Sequence, residues 1–415
     1  MSITRKYKSL INKYGLMQGI IIFNIKIVHK INWYIVDLLV RLLFNVKQNR
    51  ILFETGSDYS DNGRALFEYL IKEKYNNIYE IIWLVSDPEK YSEINIKNVS
   101  FIRKTGKLHG NYTLKSLFYG RTSKILFFTH SNVWLKKKRE KQQVINLWHG
   151  CGYKDTKAKR NDFFDYCLIP GELFIETKSK FFSQPKEKFL PIGYPRYDWF
   201  KSNKNLKGKF DFMNNNSDSY TNIVWMPTFR KSEIVEFSDD TLVSETGLPI
   251  VTSIKKLGTL NQYCLENKIN LIIKAHRMEL SLSNKFKNTS YSNLYLLTDE
   301  ILEDNNTQLY ELIPHFDGLI TDYSSIAIDF LLLDKQIGFT LDDYEMYKNI
   351  RGFVFEDPRE YMPGKHIYHY EDLIMFLENV KHGVDNYKID RAKVRQIAHS
   401  NVKNYSEEIV RLLNL

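Results

Sequence analysis

The sequence predicts an α/β protein with two domains, each built on a parallel, doubly wound sheet. The chain has 415 residues, which is enough for two domains of ordinary size. From residue 51 onward, short apolar runs typical of buried strands alternate with helical patterns, as they do in parallel sheets. A polar stretch over residues 201–222 interrupts this alternation near its middle, which is typical of a linker.

The linker divides the apolar runs into two sets of five predicted strands. The first set, with a helix near 62–74, is 51–54, 80–85, 124–129, 143–148 and 165–169. The second set is 223–226, 269–274, 294–297, 318–320 and 336–339. We therefore predict domains at 51–205 and 220–390, followed by a C-terminal helix at 391–415. Because open parallel sheets bind ligands beyond the carboxyl ends of their strands, we expect the site in the cleft between the domains.

Positive charge is concentrated in the first fifty residues. They hold nine Lys or Arg and one acid, a charge of +8, which leaves +2 of the total +10 for the other 365 residues. The longest uncharged run, 14–25, is 12 residues, whereas a bilayer span needs about 20. Apolar residues recur at helical spacing through 31–44. Residues 1–50 are therefore expected to form a basic amphipathic arm on an anionic membrane surface, the alternative being a helix packed on the protein.

Several classes of site have no motif in this sequence. The three cysteines, Cys151, Cys167 and Cys264, have no paired spacing, and neither HExxH, CxxC nor DxD occurs. The chain also lacks GxGxxG and GxxxxGK[ST], which disfavours dinucleotide redox chemistry and P-loop chemistry. We expect neither a metal nor a cofactor, and we expect a reducing compartment.

The most informative strand end is Thr321-Asp322-Tyr323-Ser324-Ser325. An apolar run stops there, and an apolar-periodic segment at 326–332 follows, which predicts a helix with a serine N-cap. Such a turn places backbone N–H groups and the positive end of a helix at the sheet edge, where phosphate binds well. The alternative is an ordinary capped turn.

Two strand ends in the first domain carry functional side chains. The fourth strand ends in Trp148-His149-Gly150, and a histidine between a buried strand and a glycine turn can act as acid or base near neutral pH. A later turn presents Arg196, whose guanidinium can bind phosphate through two nitrogens. The alternatives are a histidine that only caps its strand and a structural turn with a surface ion pair.

Two more strand ends in the second domain add hydroxyl groups and cations. They are Pro227-Thr228-Phe229-Arg230 and Lys274-Ala275-His276. With the serine turn, three consecutive strand ends carry groups that bind anions, which core packing does not explain. Because donors and cations dominate, we expect the ligand to be a diphosphate.

In this order, the motifs resemble the CDP-glycerol glycerophosphotransferase family, the enzymes of teichoic-acid and related capsule synthesis. The resemblance covers roughly residues 51–390 and includes Arg351-Gly352-Phe353. It implies a GT-B fold, in which two Rossmann-like domains face each other across a cleft. It also implies transfer of a polyol phosphate from a CDP-activated donor to a hydroxyl group.

The resemblance also implies roles for individual residues. His149 would be the catalytic base, and His276, as the second catalytic residue, would contact the donor phosphate. The residues expected to bind the donor are Trp148, Gly150, Arg196, Thr228, Arg230, Lys274, Thr321, Asp322, Ser324, Ser325 and Asp329. The family commonly has Thr-Pro after Trp-His-Gly, whereas Cys151-Gly152 follows here, so the loop beside His149 is expected to differ in shape.

We therefore expect a peripheral enzyme at the cytoplasmic face of the membrane. It would transfer glycerol phosphate or another polyol phosphate from CDP-glycerol or CDP-ribitol to a lipid-linked saccharide or a polymer, releasing CMP. A GT-B glycosyltransferase that uses a nucleotide sugar is the alternative. A non-catalytic polybasic protein is disfavoured, and no nucleic-acid partner is expected, because the charge is confined to the first fifty residues. The choice of polyol, the number of units added, the acceptor and the oligomeric state stay open.

Overall fold

The structure, a computed structural model, contains two sheets of parallel strands. It describes residues 15–106, 112–130, 137–155, 159–160, 162–201, 210, 212–213, 219–228, 245–274 and 291–415. The predicted class, mixed α/β with two parallel sheets, is confirmed. The facing of two domains across a cleft stays a prediction.

The first sheet has the strand order β3-β2-β1-β4-β5-β6-β7. Its strands are β1 (Lys47–Glu54), β2 (Glu80–Val85), β3 (Val99–Arg103), β4 (Ser123–Phe128), β5 (Gln143–Asn146), β6 (Tyr166–Leu168) and β7 (Phe189–Leu190). Pairs from β3 through β6 are parallel. Strands β2 and β4 are almost wholly buried, as is β1 from Arg50 onward, which is expected when both faces of a parallel sheet are covered.

The second sheet has the strand order β10-β9-β8-β11-β12-β13, and its pairs are parallel. Its strands are β8 (Thr221–Trp225), β9 (Ile269–Ile273), β10 (Leu294–Leu296), β11 (Gly318–Thr321), β12 (Gln336–Thr340) and β13 (Lys365–Ile367). The core on one face includes the fully buried Trp225, Leu260 and Leu377. This sheet brings the carboxyl ends of β8 and β11 side by side, because the two strands are neighbours.

Helices of the described residues connect these strands. They are α1 (Leu16–Leu43), α2 (Asp61–Lys72), α3 (Leu114–Thr122), α4 (Ile175–Phe182), α5 (Ile254–Glu266), α6 (Asp299–Asp304), α7 (Leu309–Leu312), α8 (Ile326–Phe330), α9 (Tyr344–Ile350), α10 (Tyr370–His382), α11 (Lys388–Ala398) and α12 (Tyr405–Leu412). The predicted C-terminal helix is therefore two helices. The second starts where the Asp198 carboxylate accepts the backbone N–H groups of Tyr405 and Ser406, both at 2.8 Å.

Among the described residues, all ten predicted strands are present, together with three further strands that the sequence did not predict. The missed strands, β3, β7 and β13, all lie at sheet edges. They are very short or only partly buried, and their sequences lack a continuous apolar run.

The chain groups into two compact units. The first contains the residues up to Leu147 together with Asp162–Cys167, and the second contains Trp148–Asn161 and Leu168–Leu415. The turns that follow β5 and β6 are therefore part of the second unit, which also contains the second sheet. As limits of domains, 51–205 and 220–390 stay predictions.

Helix α1 is fixed within the first unit near its carboxyl end. The carboxylate of Asp37, the single acid among the first fifty residues, accepts Arg41 Nε at 2.9 Å and also accepts Arg121 Nε. Arg139 donates to the backbone oxygens of Arg41 and Phe44, at 3.1 and 2.6 Å. Within the described residues, no helix combines the length and the apolar character needed to span a bilayer.

Candidate functional site

A cavity of about 890 Å³ lies in the second unit, at the predicted strand ends. The turn after β5 contributes His149 and Gly150, the turn after β8 contributes Thr228, and the turn after β11 contributes Ser324 and Ser325. These turns are far apart in the sequence, and the fold brings them to one wall. The remaining lining residues are Trp148, Gly152, Lys154, Asp155, Lys159, Arg160, Glu176, Thr177, Lys178, Lys180, Phe181, Pro227, Tyr347, Arg351, Phe353 and Val354.

The backbone at Trp148 presents His149 to the cavity. Trp148 has a φ of 51°, a left-handed conformation that is uncommon for a bulky residue and often marks a functional turn. Its indole Nε1 donates to the Gly150 oxygen at 2.6 Å, and its ring centroid lies 4.0 Å from that of His149. The buried indole therefore supports the half-buried imidazole from one side.

Two glycines let this turn approach the serine turn closely. A Cβ added at Gly150 would lie 2.6 Å from Ser325 Oγ, and one at Gly152 would lie 2.9 Å from Ser325 Cα and N. The departure from the family's usual Thr-Pro has a physical reason here, because this geometry leaves no room for a proline ring at 152.

Cys151 faces away from this contact and is fully buried, with its Sγ 3.3 Å from the Tyr194 hydroxyl. Burial raises the pKa of the Cys151 thiol, which favours its protonated form. A buried, protonated thiol is a poor nucleophile, so Cys151 has a packing role.

The serine turn differs from the prediction in its helix. Helix α8 has five residues and continues as a 3₁₀ turn over Leu331–Leu333, whereas one helix over 326–332 was predicted. Ser325 occupies the N-cap position, but its side chain makes no capping bond. The dipole of such a short helix is small, so the serine hydroxyls that line the cavity become the more important donors.

Asp322, Thr321 and Lys274, all predicted to bind the donor, do not line the cavity. The fully buried Asp322 carboxylate accepts the Thr228 backbone N–H at 2.7 Å and also the Thr228 hydroxyl. Thr321 donates its hydroxyl to the Met226 oxygen at 2.7 Å. Lys274 pairs with Asp299 at 2.7 Å.

Arg196 and Asp329 form an ion pair beneath the His149 turn. Arg196 is 2% exposed and Asp329 is 0% exposed, and Arg196 Nη2 lies 2.7 Å from Asp329 Oδ2. Arg196 Nη1 donates to the His149 backbone oxygen at 3.1 Å. Neither side chain lines the cavity.

Sequence reasoning missed a basic wall of the cavity, formed by Lys178 and Arg160 beside Trp148. Lys178 Nζ lies 5.0 Å from the Trp148 ring centroid, and Arg160 Cζ lies 5.5 Å from it. In the sequence, a lysine of a short helix such as α4 resembles any solvated lysine. Arg351 and Phe353, which the family resemblance singled out without a role, also line the cavity.

Two predicted residues, Arg230 and His276, lie outside the described residues. In the parts of the chain that are described, no three His, Cys, Asp or Glu side chains are grouped so that they could hold a metal ion. The cavity thus combines a histidine capable of proton transfer with several hydroxyl groups and several cations. This set suits an anionic ligand that reacts with a hydroxyl group.

The close contact at Gly152 can be tested by its effect on stability. We expect Gly152→Ala to destabilise the protein by about 1–3 kcal/mol, because the new Cβ overlaps the Ser325 backbone. The matched control is Gly258→Ala in α5, where a Cβ meets nothing within 4 Å and should stabilise the helix by about 1 kcal/mol. Denaturant unfolding measures both. Equal shifts for the two variants would contradict the contact.

Known proteins similar to this chain share its overall organisation. The family model described as CDP-Glycerol:Poly(glycerophosphate) glycerophosphotransferase matches residues 36–414. A teichoic acid poly(glycerol phosphate) polymerase of Bacillus spizizenii is 28% identical over 393 residues, which cover 88% of this chain and 89% of that protein. A teichoic acid ribitol-phosphate primase of the same species is 23% identical over 314 residues, 70% of this chain and 74% of that protein.

A solved structure of the wall teichoic acid polymerase TagF has the same fold. It superposes with a TM-score of 0.71 at 22% identity, covering 94% of this chain and 95% of that one. The family model spans nearly the whole chain. The resemblance found in the motifs is thus confirmed: this chain belongs to the CDP-glycerol:poly(glycerophosphate) glycerophosphotransferase family and is a transferase.

Proposed function

We propose that this protein transfers a polyol phosphate from a CDP-activated donor to a hydroxyl group of a teichoic-acid acceptor and releases CMP. Family membership and the names of the relatives, which include glycerol-phosphate and ribitol-phosphate transferases, support the reaction class. The proposal rests on the observation that His149, Ser324 and Ser325 line the same cavity. On this proposal, His149 would be the base and the serine hydroxyl groups beside it would bind the donor phosphate.

The donor diphosphate would occupy the side of the cavity formed by the serine turn. Ser324 and Ser325 offer hydroxyl groups there, and Lys154 and Arg351 offer positive charge. Lys154 Nζ donates to the Thr228 hydroxyl at 3.3 Å, and that hydroxyl donates its own proton to Asp322, so Thr228 helps to hold the lysine at this wall. Predicted donor contacts by Arg230 and His276 remain part of the proposal.

In the reaction, His149 would act as the general base. The acceptor oxygen attacks the β-phosphorus of the donor, the bond from that phosphorus to the bridging oxygen breaks, and CMP leaves with the electron pair. The acceptor proton passes to the His149 imidazole. Because phosphoryl transfer requires little covalent help from the protein, positioning and cationic stabilisation supply most of the rate.

We revise the roles of the supporting residues accordingly. Asp322 fixes Thr228 by accepting both its backbone N–H and its hydroxyl, while Thr321 holds the preceding Met226 oxygen. These residues, with Lys274, are proposed to shape the donor wall without touching the donor. Trp148 and Gly150 are proposed to set the His149 turn.

The basic wall favours an acceptor that itself bears phosphate. Lys178 Nζ is 5.0 Å from the Trp148 ring, whose centroid is 4.0 Å from that of His149, so the ammonium lies at most about 9 Å from the imidazole. In a polyol-phosphate chain, the terminal hydroxyl and the nearest phosphate are separated by only a few bonds. A hydroxyl at His149 would therefore place its own phosphate within reach of Lys178 and Arg160.

We also propose that α1 rests on an anionic membrane at the cytoplasmic face. Its outer surface carries large apolar side chains in water, among them Leu38, Leu42 and Leu43 at 57%, 72% and 71% exposure. Residues 1–50, which contain this helix, hold +8 of the chain's net charge of +10. Apolar contact and cationic attraction together are what a helix lying in a membrane interface uses.

The role of His149 predicts the effect of removing it. His149→Ala should lower CMP release from CDP-glycerol or CDP-ribitol by about 10²–10⁴-fold, with little change in the donor KM, because only the base is lost. His382→Ala, at an exposed helix end, is the matched control. Activity within a few-fold of the control would remove His149 from the mechanism.

The serine hydroxyls predict a different signature. Ser324→Ala with Ser325→Ala should raise the donor KM by about 10²–10⁴-fold, since hydrogen bonds to a charged group contribute about 1.5–3 kcal/mol each and the double variant loses two. Ser92→Ala, which removes an exposed hydroxyl of the first unit, should leave it unchanged. An unaltered donor KM in the double variant would rule out this phosphate site.

The membrane proposal can be tested by flotation with vesicles that contain phosphatidylglycerol. Replacing Leu38 and Leu42 by Asn should lower vesicle binding by about tenfold or more, because two apolar side chains no longer enter the interface. Ile389→Asn in α11, where the side chain is 73% exposed, is the control. Equal binding by both proteins would contradict the proposal.

A further inference from the structure

The guanidinium of Arg196 joins the His149 turn to a buried carboxylate. Nη1 donates to the His149 backbone oxygen at 3.1 Å, and Nη2 donates to Asp329 Oδ2 at 2.7 Å. Because the guanidinium is planar and both partners are fixed, the orientation of one bond determines that of the other. The position of the His149 backbone therefore depends on where Asp329 holds Arg196.

Two tyrosines complete the surroundings of this carboxylate. The hydroxyl groups of Tyr197 and Tyr310 both donate to Asp329, one to each oxygen. Burial raises the pKa of Tyr197 well above its ordinary value, which keeps that hydroxyl a donor. With Arg196 also bound, the oxygens of Asp329 are engaged inside the protein.

Tyr310 contacts both members of the ion pair. Its ring centroid lies 3.9 Å from Arg196 Cζ, while its hydroxyl binds the Asp329 carboxylate. The ring also stacks on Phe200, with centroids 5.9 Å apart. Tyr310 lies on α7, so this short helix is connected to the His149 turn through Arg196.

We propose that Asp329, Tyr197 and Tyr310 are positioning residues that act on His149 through Arg196, an inference that rests on the proposed function. None of the three side chains lines the cavity, so they do not contact the donor. The same turn also meets Ser325 at Gly150 with no space to spare. The His149 turn is thus held by both the serine turn and Arg196, and a small displacement would spoil the alignment of His149 with the acceptor oxygen.

The most informative variant is Tyr310→Phe. It keeps the ring on Arg196 and removes only the hydroxyl, whereas removing Asp329 would leave a buried guanidinium without a counter-charge and endanger folding. The matched control is Tyr295→Phe, which loses a 2.7 Å hydrogen bond to the Ser292 oxygen in the second unit. We expect Tyr310→Phe to lower kcat for CMP release about tenfold or more, with the donor KM within twofold of wild type.

A second comparison separates positioning of His149 from general damage to the fold. In a His149→Ala background, Tyr310→Phe should cause no further loss of the residual activity, because residues that act through one group are not additive. The same relative decrease in activity in both backgrounds would overturn the inference.

The outcomes also separate the inference from the proposed function. If the wild type is active and Tyr310→Phe has the same kcat as Tyr295→Phe, the positioning role alone is overturned. A wild type that releases no CMP from either CDP-polyol would overturn the proposed function, and this inference with it.

Discussion

The buried ion pair of Arg196 and Asp329 is the interaction on which the site depends. Through Arg196, it connects the turn after β5 to Asp329 of helix α8. Two tyrosine hydroxyls also donate hydrogen bonds to the Asp329 carboxylate. Breaking such a pair would cost about 3–5 kcal/mol, because one charge would stay buried without its partner. The ion pair also orients the His149 turn, because Arg196 donates to the His149 backbone oxygen.

The groups around the cavity divide into those that meet a ligand and those that hold the wall. Ser324 and Ser325 offer hydroxyl groups to it, while Asp322 accepts both the backbone N–H and the hydroxyl of Thr228 and so holds the wall. Two of the cations that line the cavity with His149 are Lys154, beside Thr228, and Lys178, beside Trp148. This arrangement suits a reaction in which donor and acceptor both carry phosphate, because each negative group then meets its own cation.

The sequence predicted the parts of the fold whose signal is local. Buried central strands are continuous apolar runs and were found, whereas edge strands such as β13, with Lys365 and His366, gave no such signal. The positions of the strand ends in the sequence were enough to predict that His149 and the serine turn lie together. The pairing of Asp329 with Arg196 did not, because a carboxylate near a serine motif looks the same whether it binds a ligand or another side chain. Lys178 was missed because only the tertiary structure places it beside Trp148.

The central claim is that the bond broken in the donor lies between its two phosphates. The most direct measurement follows a donor labelled in the β-phosphate, CDP-glycerol or CDP-ribitol, with a poly(glycerol phosphate) acceptor and purified protein. If the β-phosphate is transferred, the label should move to the acceptor, and one CMP should be released for each label transferred. Label recovered in CDP, with an unlabelled polyol on the acceptor, would contradict it and indicate transfer without phosphate.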